Sequence, residues 1–141
     1  TPNAFGVIGF DANAVAPGRR MLSSMSPTFM IGPERTAVLG TPGGSRIITM
    51  VLLAALEWID GADAAAMVAL KRYHHQYLPD AVAYEEGAFS PAELESLAAR
   101  GHKLERNERA FGNMNVVTWD FATGKVEAAM DPRGTVAGQV Y

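Results

Sequence analysis

The run Gly40-Thr41-Pro42-Gly43-Gly44-Ser45-Arg46 holds the chemistry that this sequence displays most openly. It falls between a strand-length apolar run, Arg35 to Leu39, and a stretch whose apolar residues recur at helical spacing. A Gly-Gly pair there exposes backbone N–H groups at the positive end of a helix dipole. Such a turn binds negative charge: a phosphate, a carboxylate, or the oxyanion of a tetrahedral acyl intermediate, which two converging N–H donors stabilise. The phosphate version has the least support, because no Lys-Ser/Thr follows the glycines at nucleotide-loop spacing. On spacing alone, a turn whose glycines only supply positive φ and bind nothing stands beside these readings.

A second polar cluster is Ser23-Ser24, within Leu22-Ser23-Ser24-Met25-Ser26-Pro27. Its hydroxyls can donate to a carboxylate or bond their own loop. Neither serine sits in a G-x-S-x-G elbow, so a hydrolase-type serine nucleophile is not expected. His74 and His75 are adjacent, so on a regular element they face different ways, and no third ligand follows at metal spacing. No metal site is expected. Glu85, Glu86, Glu93 and Glu95 read as a solvated face, and Trp58 with Met50 and Met67 as core. With Cys 0, disulfides, thiolate nucleophiles and Cys-based zinc sites are excluded, which leaves hydroxyls, carboxylates, imidazoles and backbone.

The elements that must position these groups are legible in outline. Thr28 to Gly32 and Arg35 to Leu39 are apolar runs around Gly32-Pro33-Glu34, which predicts a hairpin. Ile47, Ile48, Val51, Leu52, Ala55 and Ile59 predict a helix opened by Ser45 and ended by Asp60-Gly61. Asp63 caps a second helix, Ala64 to about Leu70. Val82 to Glu85 reads as a short strand. Ser90-Pro91-Ala92-Glu93 fits a capping box for a helix to Arg100, with Gly101 as its stop. Asn115 to Phe121 and Lys125 to Met130 flank Ala122-Thr123-Gly124 as a second hairpin. The start, Thr1 to Pro27, reads as loop with short apolar stretches at Ala4 to Phe10 and Ala12 to Val15, and Asp131 to Tyr141 as a closing loop. Paired strands with helices between them predict an α+β fold with largely antiparallel sheet.

At 141 residues, 48% hydrophobic and 19% charged, the chain has the length and apolar content of one globular unit, not of a disordered segment. The net charge of −3, with scattered basic residues, argues against a nucleic-acid-binding face. The uncharged run Ile47 to Leu56 is half of the roughly 20 apolar residues a bilayer requires, so no membrane span is expected. No basic n-region or apolar stretch follows Thr1, so no signal peptide is read here.

Together, Leu22-Ser23-Ser24-Met25-Ser26-Pro27, Thr41-Pro42-Gly43-Gly44-Ser45-Arg46-Ile47, His74-His75-Gln76 and Asp131-Pro132-Arg133 resemble, in order and separation, the small subunit of γ-glutamyltransferase, an N-terminal-nucleophile hydrolase. Pro2-Asn3 and Asp11-Ala12-Asn13-Ala14-Val15 are similar to its bacterial members, and the resemblance covers the whole chain. It implies part of a four-layer αββα sandwich. It also implies a precursor that cuts itself into a large and a small subunit, and a threonine that takes the γ-glutamyl group of glutathione or a related amide and passes it to water, an amino acid or a peptide. Gly43 and Gly44 match the pair whose N–H groups form the oxyanion hole, and Ser23 and Ser24 match the pair that binds the substrate α-carboxylate. No cofactor is implied, since nucleophile, base and oxyanion donors are all protein groups. The resemblance further implies a periplasmic or secreted location.

The family's nucleophilic threonine lies some tens of residues before the Ser-Ser motif, and nothing like it precedes Ser23. Thr1, followed by Pro2-Asn3, fits an internal position and is not read as the nucleophile. Residues 1–141 are therefore expected to be the C-terminal part of the small subunit, completed by its N-terminal segment and by the large subunit. Alternatives are a glutaryl or cephalosporin acylase of the same family, and a non-catalytic fragment or structural module. Two departures from the family pattern are Lys71, where proline usually precedes Arg72 and whose presence would lengthen the second helix, and Trp119, where smaller residues are usual.

Overall fold

The computed structural model describes residues 14–21 and 23–134. Its elements are β1 (Thr28–Ile31), β2 (Arg35–Gly40), α1 (Arg46–Ile59), α2 (Ala64–Ala69), β3 (Tyr73–Tyr77), β4 (Asp80–Tyr84), α3 (Pro91–Ala99), β5 (Leu104–Arg106), β6 (Asn115–Asp120) and β7 (Val126–Met130). Both expected hairpins form and join through β2 and β6 into an antiparallel sheet of order β1-β2-β6-β7. A smaller sheet has the order β3-β4-β5. Within it β4 and β5 run parallel, since α3 carries the chain back between them. The chain is α+β with largely antiparallel sheet, as the sequence predicts.

Strands β3 and β5 were not expected. Tyr73-His74-His75-Gln76-Tyr77 lacks apolar alternation, and Leu104-Glu105-Arg106 is short and doubly charged; pairing with β4 makes both of them strands. The capping box at α3 is present, with the Ser90 N–H donating to the Glu93 carboxylate at 2.7 Å and the Glu93 N–H to Ser90 Oγ at 3.3 Å. Asp63 caps α2 by accepting the Ala66 N–H at 2.8 Å. That helix ends at Ala69, with Leu70 already at ψ 144°, so Lys71 does not lengthen it. The stretch Ala4 to Phe10 and the tail beyond Gly134 lie outside the described residues, while Ala14 to Pro27, Leu22 excepted, holds no helix or strand.

One face of the larger sheet packs on α1 and α2 around Leu39, Ile47, Met50, Ala54, Ala64, Met67, Val68, Met114 and Val116, with Trp58 at the edge of this core. Among the described residues, no helix or strand covers the other face. Pairing aligns Phe29, Val38 and Val117 in one row and Ile31, Thr36, Trp119 and Val126 in the next. Ile31 on it is 80% exposed and Trp119 49%, the latter edge-on to Phe121 with ring centroids 5.1 Å apart. On α1 a second apolar stripe, Ile48, Leu52, Leu56 and Ile59, also faces outward.

The two sheets are fastened by three buried charges, Arg72, Glu85 and Asp131, together with the partly buried Arg133. Arg72, just before β3, is fully buried and sits 2.6 Å from Asp131, just after β7. Arg133 forks onto Glu85, just after β4, at 3.0 and 2.5 Å, and reaches Asp131 at 3.0 Å. Glu85 is 3% exposed, so the solvated acidic face expected for it is corrected. Its carboxylate also accepts the N–H groups of Arg72 and Phe111, and a buried carboxylate with that many partners is retained where an unpaired one is not. Glu86, Glu93 and Glu95 are exposed, as expected.

Burial pushes the Asp131 carboxyl up, but the N–H groups of Met114 and Arg133 and both guanidiniums outweigh this and hold it below the usual carboxylate range. A carboxylate so held adds stability above about pH 4, which is lost as pH falls through its folded pKa. Asp131→Asn breaks a buried pair, a loss of about 3–5 kcal/mol. The expected result is a melting temperature lower by roughly 10 °C or more, with a flatter acid limb of stability. Thermal melts between neutral pH and about pH 3 check this, and an unchanged melt would show that the cluster is dispensable.

Candidate active site at the glycine turn

Because β1 and β2 are antiparallel, with Thr28 opposite Leu39, the segment entering β1 and the segment leaving β2 emerge at the same end of the sheet. Ser23-Ser24 is on the first and Gly43-Gly44 on the second. At this end opens a groove of about 400 Å³, lined by the residues next to the two motifs, Met25–Pro27 and Val38–Pro42, and by Asn115 and Val117 of β6. The sequence singled out the two motifs separately, and the hairpin brings their segments to one end of the sheet.

Gly43 has φ +148° and Gly44 φ +61°, a backbone path that side-chain-bearing residues rarely take. Their carbonyls accept the N–H groups of Arg46 at 3.3 Å and Ile47 at 3.1 Å, which starts α1. Among the described residues, neither the Gly43 nor the Gly44 N–H has an acceptor. The turn thus offers two unpaired donors at the positive end of a 14-residue helix.

At the serine cluster, the Met25 N–H donates to Ser23 Oγ at 3.1 Å. This is the local loop bonding weighed for the pair, and it leaves the Ser23 hydroxyl proton free to donate. The Ser24 carbonyl accepts from Ser26 Oγ at 3.1 Å, while the Ser24 hydroxyl has no partner among the described residues.

Two long-range contacts that local patterns do not reveal hold the turn. Thr41, buried, donates from Oγ1 to the Pro42 carbonyl at 3.0 Å and accepts the Asn113 N–H at 3.3 Å. The Arg46 guanidinium lies 4.6 Å over the Phe111 ring, a cation–π contact. Both contacts bind the segment before β6 to the glycine turn. They join positions about 70 residues apart, and nothing in the sequence near either partner announces them.

The histidines face opposite ways on β3, as their adjacency predicts. His74 is buried, with Nδ1 at 2.8 Å from Thr49 Oγ1 and Nε2 at 3.0 Å from Gln76 Oε1, whereas His75 is exposed beside Asp80 at 2.9 Å. Among the described residues no group of His, Asp or Glu side chains is arranged to hold a metal ion.

The family model for gamma-glutamyltranspeptidase matches residues 1–141. The chain is 43% identical over 134 residues to the glutathione hydrolase proenzyme of Escherichia coli, covering 94% of this chain and 23% of that protein. It superimposes on the gamma-glutamyltranspeptidase of Pseudomonas nitroreducens, solved in complex with L-DON, with a TM-score of 0.80 and 39% identity, covering 100% of this chain and 74% of that one. It is also 32% identical over 139 residues to an acylase proenzyme of a Pseudomonas species, covering 90% of this chain and 21% of that protein. The chain therefore spans about a quarter of the length of such glutathione hydrolase proenzymes. By sequence and by fold, it belongs to the gamma-glutamyltranspeptidase family.

Proposed function

We propose that residues 1–141 form the C-terminal part of the small subunit of a bacterial γ-glutamyltransferase, and that they supply its oxyanion hole and α-carboxylate site. The observation that carries this reading is the pair of unpaired N–H groups of Gly43-Gly44 at the start of α1, at the same end of the sheet as Ser23-Ser24.

In this reading a threonine hydroxyl from outside these residues attacks the γ-carbonyl of glutathione or a related amide, and its own α-amino group takes the proton. The carbonyl oxygen becomes an oxyanion, which the Gly43 and Gly44 N–H groups receive. They are held in place before reaction, so little reorganisation opposes them. Collapse expels the amine, which takes up the proton, and leaves a γ-glutamyl ester on the threonine. Water, or the amine of an amino acid or peptide, attacks that ester through a second oxyanion in the same place. The Ser23 and Ser24 hydroxyls donate to the substrate α-carboxylate and so fix the γ-carbonyl against the turn.

The partners are the large subunit and the N-terminal segment of the small subunit from the same precursor. The exposed sheet face of Phe29, Ile31, Val38, Val117, Trp119 and Val126 supports this, since an apolar sheet face of this kind is buried by another layer. A second sheet laid on it gives the αββα sandwich. Among the described residues no helix is long and apolar enough to cross a membrane. A periplasmic or secreted location follows from the likeness to bacterial members.

Release of p-nitroaniline from γ-glutamyl-p-nitroanilide by the assembled protein, faster with a dipeptide acceptor, is the expected result. Release from the glutaryl anilide alone would favour the acylase reading, and release from neither a non-catalytic one. Gly44→Pro removes one donor and should lower kcat by roughly 10²–10³; near-normal turnover would end the oxyanion assignment. Replacing Ser23 and Ser24 together by Ala should chiefly raise KM for γ-glutamyl donors, and an unchanged KM would exclude them from the substrate site.

A further inference from the structure

Directly beneath the glycine turn, one side chain fills the space that two glycines leave. Met50, on α1, is 1% exposed. A Cβ built on Gly43 would lie 2.6 Å from Met50 Cε, and one built on Gly112 would lie 2.5 Å from Met50 Sδ. Thr41 Oγ1 is 3.9 Å from the same sulfur. The thioether is thus gripped between the turn above and the segment before β6 below. That segment is itself backed by a fixed group: the Gly112 Cβ position is 2.5 Å from Arg72 Nη1, and Arg72 is held by Asp131 at 2.6 Å.

We infer that Met50 is a positioning residue which sets the height of the Gly43-Gly44 peptide groups, so that their N–H donors converge on one oxygen. The inference rests on the oxyanion role proposed above and adds the group that determines its geometry. An unbranched side chain suits this place. It reaches past its own helix turn to touch both glycine backbones, which a side chain branched at Cβ cannot do. Arg72, Gly112, Met50 and Gly43 form a continuous run of contacts, so the buried ion cluster stabilises the turn through the thioether.

The test is kinetics on the assembled enzyme with γ-glutamyl-p-nitroanilide, normalised to folded protein, for Met50→Ala, Met50→Leu, Met50→Ile and Gly44→Pro. Met50→Ala removes the support and should lower kcat about 10- to 100-fold, the scale for a donor misplaced by about 1 Å. KM should stay within about twofold, because oxyanion donors act on the transition state. Met50→Leu should recover most of the lost kcat, and Met50→Ile should recover less at similar melting temperature. Wild-type kcat in Met50→Ala, or equal kcat in the Leu and Ile variants, would overturn the inference even if yield or stability fell. The Leu and Ile pair decides the matter should the Ala variant not fold. A normal Gly44→Pro would instead remove the oxyanion reading and this inference with it, whereas an impaired Gly44→Pro beside a normal Met50→Ala would remove this inference alone.

Discussion

A cluster of two arginines and two carboxylates, three of them buried and Arg133 partly so, is the constraint around which the rest of this chain is arranged. Taking Arg72, Arg133, Glu85 and Asp131 out of water is costly, and the cost is offset only if charges balance and donors meet acceptors. Here they balance one to one. Arg133 also donates to the carbonyls of Val68 and Leu70 at 3.1 and 3.0 Å, and Arg72 to Val68 and Phe111 at 3.1 and 2.6 Å. Burial still presses the Arg72 guanidinium below its ordinary value despite Asp131 beside it. For Arg133 burial acts the same way, but Glu85 and Asp131 outweigh it and raise the value. The members come from the end of β4, the start of β3 and the segment after β7. Their ion pairs and hydrogen bonds tie the two sheets to each other, with Arg72 Nε left without a partner among the described residues.

This tie between the sheets reaches the site by contact. Asp131 accepts the Met114 N–H at 2.9 Å, and the Asp131 N–H donates to the Met114 carbonyl at 2.8 Å. This fixes where β6 begins and therefore where Phe111, Gly112 and Asn113 lie. Those residues meet Arg46, Met50 and Thr41 under the glycine turn. The turn is close-packed on one side against these neighbours and runs directly into α1 on the other.

The outer surfaces have a different logic. A lone 141-residue domain does not ordinarily leave one face of its main sheet and one stripe of its longest helix apolar and open to water. The inner face of that sheet is covered by α1 and α2, whereas the outer face carries exposed aromatic and branched side chains with no described residue packed upon them. This pattern suits a layer within a larger sandwich, in keeping with a chain that spans about a quarter of the length of glutathione hydrolase proenzymes.

Local chemistry made much of this protein legible in its sequence. The Ser90 capping box, the Asp63 cap, the Gly32-Pro33-Glu34 turn and the helical spacing of α1 depend on neighbours within a few residues, so their signals are local and the elements formed where expected. The two motifs at the site were legible for the same reason, as was the family they resemble. Three features were not. Strands β3 and β5 exist because β4 pairs with them. Glu85 looks like any surface acid until Arg133 approaches from 48 residues away, and Met50 looks like any core methionine until Gly43 and Gly112 close on it. The sequence by itself determined the glycine turn and the serine pair that the proposed function draws on. Tertiary structure alone decided that their segments emerge at one end of the sheet and which side chains hold the glycine turn there, because desolvated charges and close packing act between residues far apart in the chain.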